Sequence, residues 1–384
     1  KAIMDGKQAA ILVPTTVLAQ QHYQTAVARF RGFPVNIDVL SRFRTAAQQQ
    51  KTLTNLRAGQ VDLIIGTHKL LQKSVEFKDL GLLIVDEEQR FGVSHKENLK
   101  EIAKNVDVLT LSATPIPRTL ALLMYGDLDV SILDELPPGR QKIDTFVISS
   151  KKRNGAYNFI KDHLDRGLQA YIVCPLVENG EADLGLINAS DHAADLAAET
   201  FSQYKVGLLH GKMKPKEKDA VMNRFYSGEI QLLISTVVIE VGVDVPNATV
   251  MAIENAERFG LSQLHQLRGR IGRGSKESTC ILLSDAQNEE AVDRFETMCR
   301  TTDGFEIAKK DLEMRGPGDF FGSRQSGLPV FRVAGLSTDM GILKIAQAAS
   351  VEWIETLGTA QTPEAQALRK RIGQLFARSE GTIN

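Results

Sequence analysis

The chain has 384 residues, 43% hydrophobic and 24% charged, with a formal net charge of −1. That length and composition allow about two or three globular domains and exclude a disordered tail. No apolar run approaches the roughly 20 residues of a membrane span, no signal peptide is visible, and the balanced charge announces no general nucleic-acid binder, although a narrow track of hydroxyls and amides can still hold phosphates.

Lys1–Asp5 reads as helix ended by Gly6, and Ala9–Val13 as a buried strand. Pro14-Thr15-Thr16 stands at its tip, and Val17–Phe30 follows as an amphipathic helix. Phe33–Leu40 reads as a strand, Arg42–Ala58 as a polar helix, and Val61–Ile65 as a strand ending in Gly66-Thr67-His68. Leu82–Val85 is fully apolar and runs into Asp86-Glu87-Glu88-Gln89. Acids at the end of a buried strand are costly without a cation or partner. In a nucleotide site Asp86 holds Mg²⁺ mostly through water and Glu87 polarises the attacking water; the alternative is a cap carboxylate followed by solvated acids. Val106–Leu111 is the next strand, tipped by Ser112-Ala113-Thr114, and Leu136–Arg140 reads as a linker.

A second α/β pattern comes next: strands over Ile143–Ile148, Ala170–Cys174, Val206–Leu209, Ile230–Ile234, Thr249–Ile253 and Thr279–Leu283, with helices over Asn154–Arg166, Ala193–Gln203 and Lys214–Ser227. Strands alternating with helices at this spacing mean two parallel sheets in sequence. Lys212, Lys214, Lys216 and Lys218 either track phosphates or form a solvated helix start. Ser235-Thr236 tips one strand; after it comes Gln263-Leu-His-Gln-Leu-Arg-Gly-Arg-Ile-Gly-Arg273. A helix would place Arg270 and Arg273 on one face, with Gly269 and Gly272 allowing another surface to approach. A guanidinium pair so presented suits a phosphate chain. Past Asp285 the pattern turns helical. Val292, Phe295 and Cys299 make one apolar stripe, and Phe305, Ala308 and Leu312 another, joined by Thr301–Gly304 as a hairpin. Gly341–Asn384 reads as helix. The three cysteines, Cys174, Cys280 and Cys299, make no CxxC, which points to a reducing cytoplasm, and no histidines have metal-ligand spacing.

The stretch Ser235–Gly274 resembles motifs V and VI of superfamily 2 helicases, specifically the RecG branch. The resemblance covers residues 1–345 and implies two tandem RecA-like α/β domains, at 1–140 and 141–287. A helical hairpin and loop come after them at 288–345, then a C-terminal helical segment at 346–384. It implies ATP and Mg²⁺ as cofactors, with Arg270 and Arg273 as arginine fingers facing Asp86 and Glu87 across the cleft. Gln89, Gly242, Asp244 and Gln266 join the nucleotide site by the same analogy, with Glu240 in the nucleotide-sensing motif V. Pro14, Thr15 and Thr16 match motif Ia; Gly66, Thr67 and His68 match motif Ib; Ser112 and Thr114 match motif III. With Ser235 and Thr236 these line DNA or couple it to ATP. Asp311–Gly327 resembles the translocation motif that RecG shares with Mfd, which marks Arg315 and Gln325, with Arg300 and Arg324 beside them.

The implied partner is branched double-stranded DNA, acted on by a monomer. The first third has Mfd-like features, which would make RNA polymerase the partner. The acidic motif ends in Gln89 where both families most often carry His. No GxxxxGK[ST] is present, since Gly6-Lys7 and Gly211-Lys212 are followed by Gln8 and Met213. The expectation is a fragment that begins just after its P-loop and is inactive alone. A non-catalytic DNA-binding remnant is the alternative of another class.

Overall fold

The computed structural model describes residues 1–88, 91–92, 95, 98–99, 102, 106–112, 129–135, 141–175, 189–211, 213–236, 245–315, 340–357 and 361–380. The architecture is α/β with two all-parallel sheets. The first contains β1 (Gln8–Leu12), β2 (Ile37–Leu40), β3 (Leu63–Gly66), β4 (Leu80–Asp86) and β5 (Asp107–Leu111), in the order β2-β3-β1-β4-β5. The second contains β6 (Ile143–Ile148), β7 (Gln169–Val173), β8 (Val206–Leu209), β9 (Leu232–Ser235), β10 (Ala248–Ile253) and β11 (Ser278–Leu283), in the order β6-β11-β10-β7-β9-β8. Helices cover the faces of both sheets, so central strands read as continuous apolar runs rather than alternating ones. Ile64, Ile65, Ile172 and Ile234 are each 0% exposed, and burying such a side chain contributes about 1.5–3 kcal/mol.

The helices are α1 (Thr16–Arg29), α2 (Ala46–Arg57), α3 (Arg153–Asp165), α4 (Ala189–Asp195), α5 (Pro215–Tyr226), α6 (Leu261–Arg268), α7 (Glu289–Arg300), α8 (Gly304–Arg315), α9 (Met340–Leu357) and α10 (Pro363–Glu380). α1 packs on β2 and β3, α3 on β7 and β10, and α7 on β6 and α6. The chain divides into two compact units, Lys1–Thr114 with Leu136–Thr302, and Pro115–Glu135 with Asp303–Asn384. The first contains both sheets.

The two sheets share one fastening. Gln8 opens β1 and Gln169 opens β7, and both side chains are buried. Gln8 Nε2 donates to Leu56 O at 2.9 Å and Val61 O at 2.8 Å. Gln169 Nε2 donates to Phe225 O at 2.6 Å and Ile230 O at 2.8 Å. Each amide thus ties the end of a helix (α2, α5) to the lead-in of the next strand (β3, β9). Between those anchors lie Gly59 and Gly228, at φ +73° and +79°, a left-handed backbone that glycine adopts without strain.

Several elements differ from the expectation. Lys1–Asp5 is a turn rather than a helix, closed by Asp5 N–H donating to Lys1 O at 3.0 Å. β2 begins at Ile37, and Phe33 is 66% exposed. α2 begins at Ala46 because Thr45 and Gln48 form a reciprocal capping box. The helix expected over Ala193–Gln203 is α4 running into a π-helical turn at Leu196–Thr200. In α7 the buried stripe is Ala291, Phe295 and Met298, while Val292 is 39% exposed and Cys299 is also exposed. β5 is the end strand of its sheet, and Val108, Leu109 and Leu111 are 41%, 48% and 40% exposed.

Candidate functional site

In open parallel sheets the carboxyl ends of the strands present chemistry to a ligand. Asp86 is the last residue of β4, and its carboxylate lies 3.7 Å from His22 Nε2 on α1. Glu87 comes directly after it, with φ +55° and 3% exposure. A non-glycine residue held there costs on the order of 1–3 kcal/mol, and such strain gathers at functional sites. Its N–H donates to Leu111 O at 2.9 Å, which ties the acidic tip to the end of β5. The Asp86 side chain is 21% exposed. A single solvent-reaching carboxylate fits a Mg²⁺ held largely by water and phosphate oxygens. Among the described residues no cluster of three or more metal-ligating side chains exists to hold the ion otherwise.

The neighbouring tips are tightly built. Thr15 caps α1, its Oγ1 accepting from Leu18 N–H at 3.3 Å, while Thr16 is 1% exposed. Pro14 and Thr15 are half-buried. A Cβ on Gly66 would lie 2.8 Å from Leu40 O and 2.8 Å from Leu70 Cγ, so only glycine fits. Thr67 is buried. The His68 ring lies 5.3 Å from that of His95. Burial, and then His95, Arg42 and Lys69, lower the His68 pKa, so its imidazole is neutral at pH 7. Ser112 is exposed beyond β5. On the second sheet Ser235 and Thr236 are buried, and Thr236 N–H donates to Leu209 O at 3.0 Å.

Arg270 and Arg273 do not share a helix face. α6 ends at Arg268 with Gly269 as its cap, so both arginines lie in the turn beyond. Arg270 is 4% exposed. Arg273 is exposed, and its Nε donates to Gly269 O at 3.1 Å. Gly272, at φ +72°, packs against β6; a Cβ there would lie 2.7 Å from Ile143 Cγ1. Gly272 thus seats the loop on its own sheet, rather than opening room for another surface. Gln266 is half-buried within α6. Lys214 and Lys216 are exposed at the start of α5. Arg300 is exposed at the end of α7, and Arg315 ends α8. Gln89, Thr114, Glu240, Gly242, Asp244, Arg324 and Gln325 lie outside the described residues.

Sequence reasoning missed two buried charges. Arg268 is 2% exposed and donates to Met298 O, to Thr145 Oγ1 at 3.4 Å and, through Nη2, meets His265 Nδ1 at 3.2 Å, joining α6 to α7 and β6. Glu254, at the end of β10, is 1% exposed. Tyr157 OH donates to it at 2.6 Å, and Arg153 Nε and Nη2 at 3.1 and 3.0 Å. Burial and the adjacent Glu254 push the Tyr157 hydroxyl up, and push the Cys174 thiol up to about 12. A pocket of ≈ 160 Å³ opens beside this cluster, lined by Ser150, Arg153, Asn255, Glu257, Ser284 and Asp285 among others. The signal for Glu254 was an acid directly after a largely apolar strand, close to the pattern that marked Asp86.

Known proteins share these features. The DEAD/DEAH box helicase family matches residues 1–123 and the helicase conserved C-terminal domain residues 152–275. The C-terminal part of domain 3 of ATP-dependent DNA helicase RecG matches residues 301–380. The chain is 47% identical to the RecG helicase of Thermotoga maritima, over 92% of this chain and 46% of that protein. It is 44% identical to the RecG helicase of Bacillus subtilis, over 97% of this chain and 54% of that protein. Among solved structures, a RecG bound to a three-way DNA junction superposes with a TM-score of 0.71 at 45% identity, covering 88% of this chain and 44% of that one. The helicase MrfA bound to DNA and AMPPNP shares the fold at a TM-score of 0.54 and 16% identity. The chain spans about half the length of the relatives it matches. Over that span, the chain resembles the RecG helicases from the first helicase domain through the C-terminal part of domain 3.

Proposed function

We propose that this chain is the motor region of an ATP-dependent translocase acting on branched double-stranded DNA, regressing forks and processing Holliday junctions. The observation that carries the reading is the strained, buried Glu87 directly after Asp86 at the carboxyl end of β4. A carboxylate fixed there is placed to orient a water for attack on a phosphoryl group. Asp86 is the residue that would hold a Mg²⁺, which when bound would supply charge neutralisation at the phosphates. Arg273, exposed, and Arg270, buried three residues before it, supply the guanidinium charge that such a transfer requires. Gln89, Gly242, Asp244 and Gln266 complete the nucleotide side. Pro14–Thr16, Gly66–His68, Ser112, Thr114, Ser235 and Thr236 face or couple to DNA, and Arg315 and Gln325 transmit the movement. The junction-bound relative supports branched DNA as the substrate.

ATP hydrolysis with and without branched DNA tests this. In the full-length protein, DNA-stimulated turnover is expected to be lost in Glu87→Gln and lowered on the order of 10³-fold in Arg273→Ala. Turnover unchanged in either variant contradicts the assignment. DNA binding indifferent to ATP would favour a non-catalytic role.

A further inference from the structure

We propose that Glu254 is a positioning residue that sets the arginine loop for phosphoryl transfer; the inference rests on the ATP-hydrolysis reading above. The carboxylate is fully enclosed and receives three donated bonds from two side chains of α3, those of Tyr157 and Arg153. Its own N–H donates to Val173 O at 2.8 Å, which holds the backbone to the end of β7. The next residue, Asn255, takes φ +46°, the left-handed bend that turns the chain out of the sheet. A buried ion pair contributes little net stability, because desolvation offsets its attraction. Three fixed bonds at the foot of a strained turn do supply a defined direction for the chain beyond it.

From Asn255 the chain takes a short, stiff path. A 3₁₀ turn at Ala256–Arg258 is gripped by Arg294, whose Nη1 donates to Glu257 O at 3.0 Å and Phe259 O at 2.7 Å. Ser284 Oγ donates to Glu257 Oε2 at 2.6 Å. Then α6 runs for 8 residues with Leu261, Leu264 and Leu267 at most 1% exposed, and delivers Arg270 and Arg273. From Glu254 to Arg273 the path is short and built of one packed turn and one packed helix, so the direction set at its foot bears on where the arginine loop stands. Misplacing a charge-stabilising group by about 1 Å costs far more in the transition state than in the ground state.

The test is nucleotide affinity of the full-length protein with ADP alone and with ADP plus fluoroaluminate, a transition-state mimic. In Glu254→Gln and in Tyr157→Phe we expect the fluoroaluminate complex to weaken about tenfold, with ADP affinity unchanged. Loosened folding would lower the binding stoichiometry and leave the ratio of the two affinities alone. Should Glu254→Gln not fold, Tyr157→Phe decides. Arg273→Ala serves as the control. If it separates the two affinities and neither network variant does, the positioning role is refuted. If Arg273→Ala leaves the ratio unchanged, the arginine reading itself falls, and this inference with it.

Discussion

Replacing Gln8 or Gln169 by methionine keeps side-chain length and removes the amide that fastens each sheet. At Gln169 two buried bonds to carbonyls are lost. At Gln8 two buried bonds are lost, together with those that Oε1 accepts from Lys78 N–H at 2.8 Å and Asp79 N–H at 3.1 Å. Leu56 O and Phe225 O keep a second donor in Gly59 and Gly228, so the main cost falls on Val61 O and Ile230 O. With about 1–1.5 kcal/mol per buried bond and less for the half-buried N–H pair, Gln8→Met loses about 3–5 and Gln169→Met about 2–3 kcal/mol. The methionine returns about 1 kcal/mol through its apolar surface. Net costs of about 2–4 and 1–2 kcal/mol are large beside a typical domain stability of roughly 5–15. Urea unfolding followed by circular dichroism, with hydrogen exchange to assign each transition to its sheet, measures both. Gln8→Glu supplies the sign: a carboxylate against two carbonyls has a raised folded pKa. Its penalty is full above that pKa and disappears as the pH falls below the unfolded value. Two methionine variants within 0.5 kcal/mol of the parent, or a larger cost at Gln169 than at Gln8, would refute the reasoning.

Two further outcomes are expected. Cys174 and Cys280 are buried with thiols pushed up to about 12, whereas Cys299 is exposed; at pH 8 a thiol reagent should therefore modify one cysteine in the folded chain and three after unfolding. Fast reaction of two or more would show that the interior opens. Asp219 is 9% exposed, and burial raises its pKa against the opposing pull of Arg42. A raised acid favours folding only while protonated, so its penalty grows as pH rises from the unfolded value through the folded one and is complete above it. Asp219→Asn should stabilise the chain at pH 7, with the gain fading near pH 4; a loss at pH 7 would mean that the Arg42 attraction outweighs burial.

The strands were legible because a parallel strand covered on both faces leaves little but apolar residues, as at β3, β7 and β10. Boundaries were less legible where an apolar letter has no partner to bury it. Phe33 looks like the start of a strand, yet two thirds of it meets solvent. The start of α2 was written in the Thr45-x-x-Gln48 pattern, a capping box that outranks the polar letters before it. In α7 a one-residue error of phase exchanged Val292 and Cys299 for Ala291 and Met298, because size rather than position suggested the core face. Spacing misled at Arg270 and Arg273, since Gly269 ends the helix between them and Arg268. The paired glutamines were readable too: Gln8-Ala-Ala-Ile-Leu-Val-Pro14 parallels Gln169-Ala-Tyr-Ile-Val-Cys-Pro175, and Gly59–Thr67 parallels Gly228–Thr236. A polar residue at a strand's first position passes for a boundary until its carbonyl partners are seen.

The end strand β5 carries a practical consequence. Among the described residues nothing pairs with its outer edge, and three of its five residues are apolar and solvent-facing. A flat row of open N–H and C=O groups beside valine and leucine is a template for any other extended chain. Two molecules meeting there would join strand to strand and cover both copies of this edge, leaving β2 as the end strand of the first sheet in each copy. Association through this edge depends on concentration rather than on unfolding, so light scattering per unit mass across a dilution series, taken below the unfolding transition, is expected to rise with concentration, and a flat series would show that the edge is inert.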